Sequence, residues 1–125
     1  MNHALGPVFH ETLGFGLLLS GFLGGALLGT GFLREGFLGG YGSPRRRLLR
    51  LAHVAAVALG LLNLEFARCG ANSSPLASLG FAVGALAMPI ACALVAWSPR
   101  FYLVFAVPVL ALVLAAGAAL KGVSP

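Results

Sequence analysis

Three polar side chains in an otherwise apolar stretch are the first candidates for chemistry. Residues 43–69 read SPRRRLLRLAHVAAVALGLLNLEFARC and include His53, Asn63 and Glu65. A histidine among apolar residues can ligate haem, contact a quinone or hydrogen-bond to a neighbouring helix. An asparagine in the same setting donates and accepts hydrogen bonds. The elements that carry these residues decide which of these roles is open to them.

Haem held between helices needs axial ligands at one depth in the membrane. His53 lies near one end of its apolar run, whereas His10 lies near the opposite membrane face, more than ~20 Å away by helix rise. One chain therefore cannot supply both ligands, and a haem would need His53 from two copies or a histidine from a partner. A quinone or a lipid headgroup at His53 and Arg50 is a second alternative. We expect no resident cofactor, only bound lipids, with His53 and Asn63 as interhelical hydrogen-bonding groups.

Other catalytic and binding chemistry lacks its motif in this sequence. The apolar runs contain no HxxxH, CxxC or ExxH pattern for a metal ion. They contain no GxSxG elbow and no histidine–carboxylate partner for an embedded serine. Three consecutive arginines beside a membrane form no reader of a nucleic-acid groove. The sequence predicts that the protein is not an enzyme, binds no metal and binds no nucleic acid.

The composition places the chain in a lipid bilayer. Of its 125 residues, 59% are hydrophobic and 9% are charged, whereas about a quarter of the residues in soluble domains are charged. Four apolar runs, at residues 12–32, 48–66, 76–97 and 101–120, approach the ~20 residues that cross a ~30 Å hydrocarbon core as a helix. They lack the alternation of membrane strands. The sequence predicts an all-helical membrane protein in which residues 1–125 form one domain with four transmembrane helices.

Loop lengths and basic residues predict how these helices are arranged. The longest connection, residues 33–47, has only 15 residues, so consecutive helices should form an up-down antiparallel bundle. Basic residues concentrate on the cytoplasmic side. Arg68 and Lys121 fall on one side of the predicted bundle and six arginines on the other: Arg34, Arg45, Arg46, Arg47, Arg50 and Arg100. This asymmetry predicts that both termini lie on the outer, periplasmic side of a bacterial inner membrane.

Stripes of small residues predict where the helices pack. In lipid, helices associate because small residues let their backbones approach closely. Such residues recur on one face of each apolar run at helical spacings. The predicted packing positions are Gly21, Gly25, Gly29, Gly60, Gly80, Gly84, Ala111 and Ala115. A second ridge on the first run, about 100° away around the helix, consists of Gly16, Ser20 and Gly24.

Charged groups at the ends of the runs predict two polar surfaces. Glu11 begins the first run and Glu65 ends the second, so with Arg68 they should form an outward-facing polar cap. Carboxylates at a membrane boundary avoid most of the desolvation penalty that marks functional groups at mid-depth. On the opposite side, four arginines should contact lipid headgroups or an acidic partner. These four are Arg45, Arg46, Arg47 and Arg50.

The size of the chain is similar to that of small multidrug-resistance transporters, whose proton-coupled export depends on a glutamate embedded in the first helix. Here Glu11 stands at the edge of the run and no deeper carboxylate replaces it. The sequence instead favours a small non-catalytic subunit that packs against a larger, for example energy-transducing, membrane complex. One alternative is a homo-oligomeric transporter or channel with Pro89 and Pro108 as flexible points. The other is a redox subunit that binds haem or quinone at His53. The expected partners are lipids and other integral membrane proteins or copies of itself.

Overall fold

A computed structural model of the chain describes residues 5–69 and 74–121. All regular elements of this part are helical: α1 (Pro7–Gly31), α2 (Pro44–Cys69), α3 (Pro75–Trp97) and α4 (Ala106–Lys121), with 3-10 segments at Phe37–Gly39 and Pro99–Phe105. Four segments are long and apolar enough to cross a membrane, and the fourth of them, Pro99–Lys121, joins the second 3-10 segment to α4. The prediction of an all-helical protein with four candidate membrane spans is confirmed.

Proline residues set several of the helix boundaries. Pro7 and Pro75 occupy the first positions of α1 and α3, where a missing N–H costs nothing, and α2 also begins at a proline. Pro108 lies in the first turn of α4. Its ring disfavours an α-helical turn before it, because it removes one N–H donor and crowds the carbonyl four residues earlier. Pro99–Phe105 is accordingly a 3-10 segment, which overlaps the span that the sequence predicted over residues 101–120.

The helices pack in chain order, so that α2 contacts α1 and α3, and α3 contacts α4. One buried cluster joins α2, α3 and α4 through Phe66, Ala77, Phe81 and Ala115. A second cluster joins the first three helices through Leu17, Ala56 and Ala85. The large side chains of the outer helices point away from these clusters, as Leu27 is 73% exposed and Val113 is 64% exposed. The core is therefore built mostly from small residues.

Three glycines, Gly14, Gly60 and Gly80, lie directly against the backbone of a neighbouring helix. A Cβ atom on Gly14 of α1 would be 2.9 Å from the Gly60 carbonyl oxygen of α2. A Cβ atom on Gly60 of α2 would be 2.9 Å from the Gly14 carbonyl oxygen and 3.2 Å from the Leu18 amide nitrogen of α1. A Cβ atom on Gly80 of α3 would be 2.7 Å from the Ala111 carbonyl oxygen of α4. Real Cβ atoms do not come this close to a backbone oxygen. These contacts are the ones in which only glycine fits.

The remaining predicted packing positions differ in what they meet. Gly25 faces the His53 ring and Gly84 faces the Leu112 side chain, so each approaches a side chain that can turn aside more easily than a backbone can. Gly21 faces the Val57 side chain, and a Cβ atom there would also be 3.1 Å from the His53 carbonyl oxygen. Gly29 differs from the prediction, because it is exposed and a Cβ atom there would meet open space. On α1, residues 14 and 21 face α2, and their seven-residue spacing continues to residue 28. Gly29 lies about 100° further around the helix and therefore points away from α2.

Candidate functional site

A hydrogen-bonded network joins α1, α2 and α3 at the end of the bundle where α1 begins. His10 of α1 is fully buried, with its Nδ1 2.7 Å from Asn63 Oδ1 of α2 and its Nε2 2.7 Å from Ser78 Oγ of α3. The edge of its ring packs against Phe66, with the ring centroids 4.9 Å apart. Asn63 is fully buried and Ser78 is 2% exposed. Three helices are therefore tied together by one imidazole ring.

The surrounding bonds indicate which atoms of the network donate. The Asn63 amide nitrogen donates to the Leu59 carbonyl at 2.9 Å, so its Oδ1 accepts from the Nδ1–H of His10. Ser78 Oγ has one hydrogen and lies close to both His10 Nε2 and the Leu5 carbonyl, the latter at 3.1 Å. A neutral His10 accepts that hydroxyl hydrogen at Nε2, whereas a protonated His10 donates to Ser78, which then donates to Leu5. Both ring nitrogens are bonded in either state.

The same three side chains have the connectivity of a nucleophile, its base and the group that orients the base. Nucleophilic attack needs a substrate within reach of the serine oxygen, but Ser78 is buried inside the bundle. This arrangement is not evident from the sequence. The sequence predicted Asn63 as an interhelical hydrogen-bonding group and His10 near one membrane face, but it gave no sign that they face each other. A lone helical serine usually bonds its own backbone.

His53 lies further along α2, on the face turned towards α1. Its Cδ2 lies 2.9 Å from the position of a Cβ atom on Gly25, and its ring lines a groove of about 390 Å³ together with Ser20, Gly24 and Pro89. The Nδ1 atom is buried and has no hydrogen-bond partner among the described residues. The expected interhelical hydrogen bond is thus not found at this atom. Gly24 and Gly25 have no side chain to offer, and the Ser20 hydroxyl donates to the Leu17 carbonyl of its own helix. His53 is ten residues from Asn63, or about 15 Å of helix rise, which separates it from His10.

Two of the arginines at the start of α2 contact the ends of neighbouring helices. Arg45 Nε donates to the Ala96 carbonyl at 3.1 Å, and its guanidinium carbon lies 4.9 Å from the centroid of Trp97, the last residue of α3. Arg46 Nη2 lies 3.5 Å from the Phe32 carbonyl, just after α1. The last carbonyls of a helix lack partners within it and carry partial negative charge, so these arginines stabilise both helix ends.

Arg46 and Arg50 also lie over the same two aromatic rings. The guanidinium carbon of Arg46 is 4.2 Å from the Phe32 centroid and 5.6 Å from that of Tyr41, and the corresponding distances for Arg50 are 5.8 Å and 5.5 Å. The sequence predicted all four arginines as surface contacts. The structure instead buries Arg46, which is 6% exposed, and leaves Arg47 exposed. Arg46 is drawn inward because the rings and the carbonyl lie on its side of α2.

The three residues of the predicted polar cap are all exposed, at the end of the bundle that holds the His10 network. Glu11 and Arg68 line one small groove of about 260 Å³ with Phe15 and Leu64. Glu65 Oε1 accepts a hydrogen bond from Cys69 Sγ at 3.3 Å, one turn along the same helix. The structure therefore brings Glu11 and Arg68 to one surface, while the bond found for Glu65 is within α2.

Metal ligands do not gather in the described residues: no group of three His, Cys, Asp or Glu side chains there is placed to hold an ion. Three candidate sites remain in this part of the chain. They are the buried His10 network, the groove at His53 and the arginine–aromatic cluster of Arg46, Arg50, Phe32 and Tyr41. Comparison with known proteins adds no candidate, as no protein-family model, curated protein or solved structure matches this chain.

Proposed function

We propose that the protein is a small non-catalytic integral membrane subunit that packs against a larger membrane protein complex. The observation that carries this proposal is the ridge of α1 formed by Gly16, Ser20 and Gly24. A Cβ atom on Gly16 would meet open space, and one on Gly24 would meet only the His53 Cβ atom, at 3.8 Å. The glycines that face α2 and α4 within the chain are covered. This ridge has the small-residue spacing that lets two membrane helices approach closely, and nothing in the described chain covers it.

The groove beside the ridge supports a helix as the occupant. It is lined almost entirely by apolar groups, including Leu27, Leu49 and Ala52, and His53 also lines it. A helix seated on the ridge would place a large side chain in the groove, in the manner of a knob entering a hole between neighbouring residues. The partner we propose is therefore a transmembrane helix of the larger complex. An energy-transducing complex is one example of the larger assembly we propose.

The proposed arrangement is an up-down antiparallel bundle with both termini on the periplasmic side of a bacterial inner membrane. The order of contacts supports it, because Gly14, Gly21 and Gly25 of α1 face positions of α2 that fall steadily in number, from Leu64 through Val57 to His53. Six arginines lie at the end of the bundle that holds the loop between α1 and α2, and they favour the cytoplasmic side for that loop.

We expect a membrane-impermeant maleimide to label Cys69 in intact cells, because this exposed thiol lies at the outer end of α2. In a Cys69→Ser background, a cysteine introduced by Ser43→Cys should react only after the membrane is permeabilised. Cys92 is buried and provides an internal control that stays unlabelled in both samples. Labelling of the Ser43→Cys protein in intact cells would reverse the proposed orientation.

The subunit proposal predicts that substitutions on the ridge release the protein from its complex. In mild detergent, the wild-type protein should migrate with a larger assembly, and Gly16→Leu or Ser20→Leu should shift it to the size of the isolated chain. Gly117→Leu is the matched control, since Gly117 is also an exposed helical glycine with open space around it. Migration would be measured by native electrophoresis and immunoblotting.

Three results would contradict the subunit proposal. Migration of the wild-type protein as a single isolated chain would leave the ridge without a partner. A homogeneous dimer of this chain that dissociates on Gly16→Leu would favour the homo-oligomeric transporter or channel. A Soret band in the purified protein that disappears on His53→Ala would favour the redox subunit.

A further inference from the structure

The end of the bundle where α1 and α3 finish and α2 begins has a large excess of positive charge. Six of the eight basic residues lie in or beside the connections at this end, against a single acidic residue, Glu35. The other two carboxylates, Glu11 and Glu65, lie at the opposite end near the His10 network. The arginines here therefore cannot all be neutralised by carboxylates of the same chain.

Arg46 and Arg50 carry the least favourable part of this charge. They are one helical turn apart on α2, at the spacing at which like charges repel each other. Arg46 is also in the first turn of its helix, where the backbone dipole disfavours a cation and where no acidic residue is present. The shared rings of Phe32 and Tyr41 hold both guanidinium groups on one side of the helix, so the repulsion is not relieved by the side chains turning apart.

Arg46 is buried without enough partners for its charge. It is 6% exposed, its Nε atom has no hydrogen-bond partner among the described residues, and its one carbonyl contact is long, at 3.5 Å. A buried cation normally has a hydrogen-bonded counter-charge, because removing it from water is otherwise costly. The Phe32 carbonyl at the end of α1 supplies only part of that charge. The half-buried Arg50 lies next to it with its guanidinium group over the same rings.

We propose that Arg46 and Arg50, framed by Phe32 and Tyr41, bind a phosphate-bearing anion, and that in the membrane this anion is the headgroup phosphate of an anionic lipid. Arg50 would donate directly to phosphate oxygens, for which the planar guanidinium group is suited. Arg46 would supply positive charge from the buried side. Tyr41, which is 75% exposed, would border the headgroup. This site does not depend on the proposed subunit function, because it needs no partner protein.

The test compares lipid binding by arginine variants of the same helical turn. Native mass spectrometry of the protein in uncharged detergent would give the Kd for dioleoylphosphatidylglycerol, with dioleoylphosphatidylcholine as the zwitterionic control. We expect Arg50→Gln to weaken phosphatidylglycerol binding about 50-fold, the loss expected for charged hydrogen bonds to a phosphate. Arg47→Gln removes the same charge from an exposed side chain and should cost no more than about fivefold, as expected for general attraction to anionic lipid.

Two further measurements keep the outcome clear. Arg50→Lys retains the charge without the planar fork, and it should bind phosphatidylglycerol with intermediate affinity while the circular dichroism of all variants stays helical. Competition by millimolar inorganic phosphate that Arg50→Gln abolishes would still support a phosphate site, with the free anion as its source. Equal losses for Arg47→Gln and Arg50→Gln, or equal binding of phosphatidylcholine and phosphatidylglycerol, would overturn the proposal.

Discussion

Gly80→Ala is expected to lower the free energy of unfolding by about 2 kcal/mol, within the range measured for overpacked cores. The added methyl group would lie 2.7 Å from the Ala111 carbonyl oxygen and 2.7 Å from the Ala115 Cβ atom. Ala115 is fully buried, so α3 and α4 can accept the methyl group only by moving apart. The intrinsic preference of alanine for helix favours the variant by less than about 1 kcal/mol and does not offset this loss. Gly80→Leu should lower the free energy of unfolding further, because its side chain is larger.

Gly117→Ala is the control for the Gly80 prediction. It makes the same chemical change in a helix, but its methyl group meets open space, so helix propensity alone should leave its stability unchanged or slightly raised. Thermal unfolding in detergent, followed by circular dichroism, would measure both. Within the same series, Gly84→Leu should destabilise the protein more than Leu94→Ala, because Leu94 is exposed and its truncation removes little packing. A Gly80→Ala protein as stable as Gly117→Ala would refute the close contact of α3 with α4.

His10→Leu is expected to lower the free energy of unfolding by about 2–3 kcal/mol. The change removes both bonds of the imidazole ring and leaves the buried Asn63 Oδ1 without a donor, and an unsatisfied buried polar group costs about 1–3 kcal/mol. Hydrogen bonds between membrane helices average about 0.6 kcal/mol, so the orphaned amide contributes more than the lost bonds themselves. Thr12→Val provides a control, since the Thr12 hydroxyl is exposed and bonds only the Val8 carbonyl of its own helix.

A double-mutant cycle would show that the effect of His10 passes through its partners. The cost of combining His10→Leu with Asn63→Leu should be smaller than the sum of the two single costs, because each change orphans the other residue. Additive costs would mean that the two side chains do not interact.

Ser78 of the folded protein should also resist a fluorophosphonate probe, because its hydroxyl is buried. Labelling of Ser78 that requires His10 would change the interpretation of the network from helix packing to catalysis.

The sequence predicted the four helical segments because apolar runs of membrane-spanning length leave few alternatives to a helix. It predicted individual contacts less well. The spacing pointed to Gly60 and Gly80, which meet neighbouring helices, but also to Gly29, which is exposed, because a small-residue pattern does not show which face of a helix meets its neighbour. His10 was predicted only to lie near the membrane face opposite His53. Its partner Ser78 comes from α3, and which sides of three helices meet depends on their rotation about their axes, which spacing alone does not fix.

The arginines illustrate a second limit of the sequence. Their excess at one end predicts a side of the membrane, but all four at the start of α2 appear equivalent in composition. Arg46 is buried and Arg47 is exposed because neighbouring residues of a helix point about 100° apart. Only the positions of Phe32 and Tyr41, which come from the connection before α2, decide which arginine becomes the buried one.

The 3-10 segment before α4 affects how far the fourth span reaches. A 3-10 helix rises ~2.0 Å per residue against ~1.5 Å in an α-helix, so the seven residues of Pro99–Phe105 and the sixteen of α4 together extend about 38 Å. A continuous α-helix of the same length would extend about 35 Å. The extra length of about 3 Å suits this span to a slightly thicker hydrocarbon layer without a change in residue number.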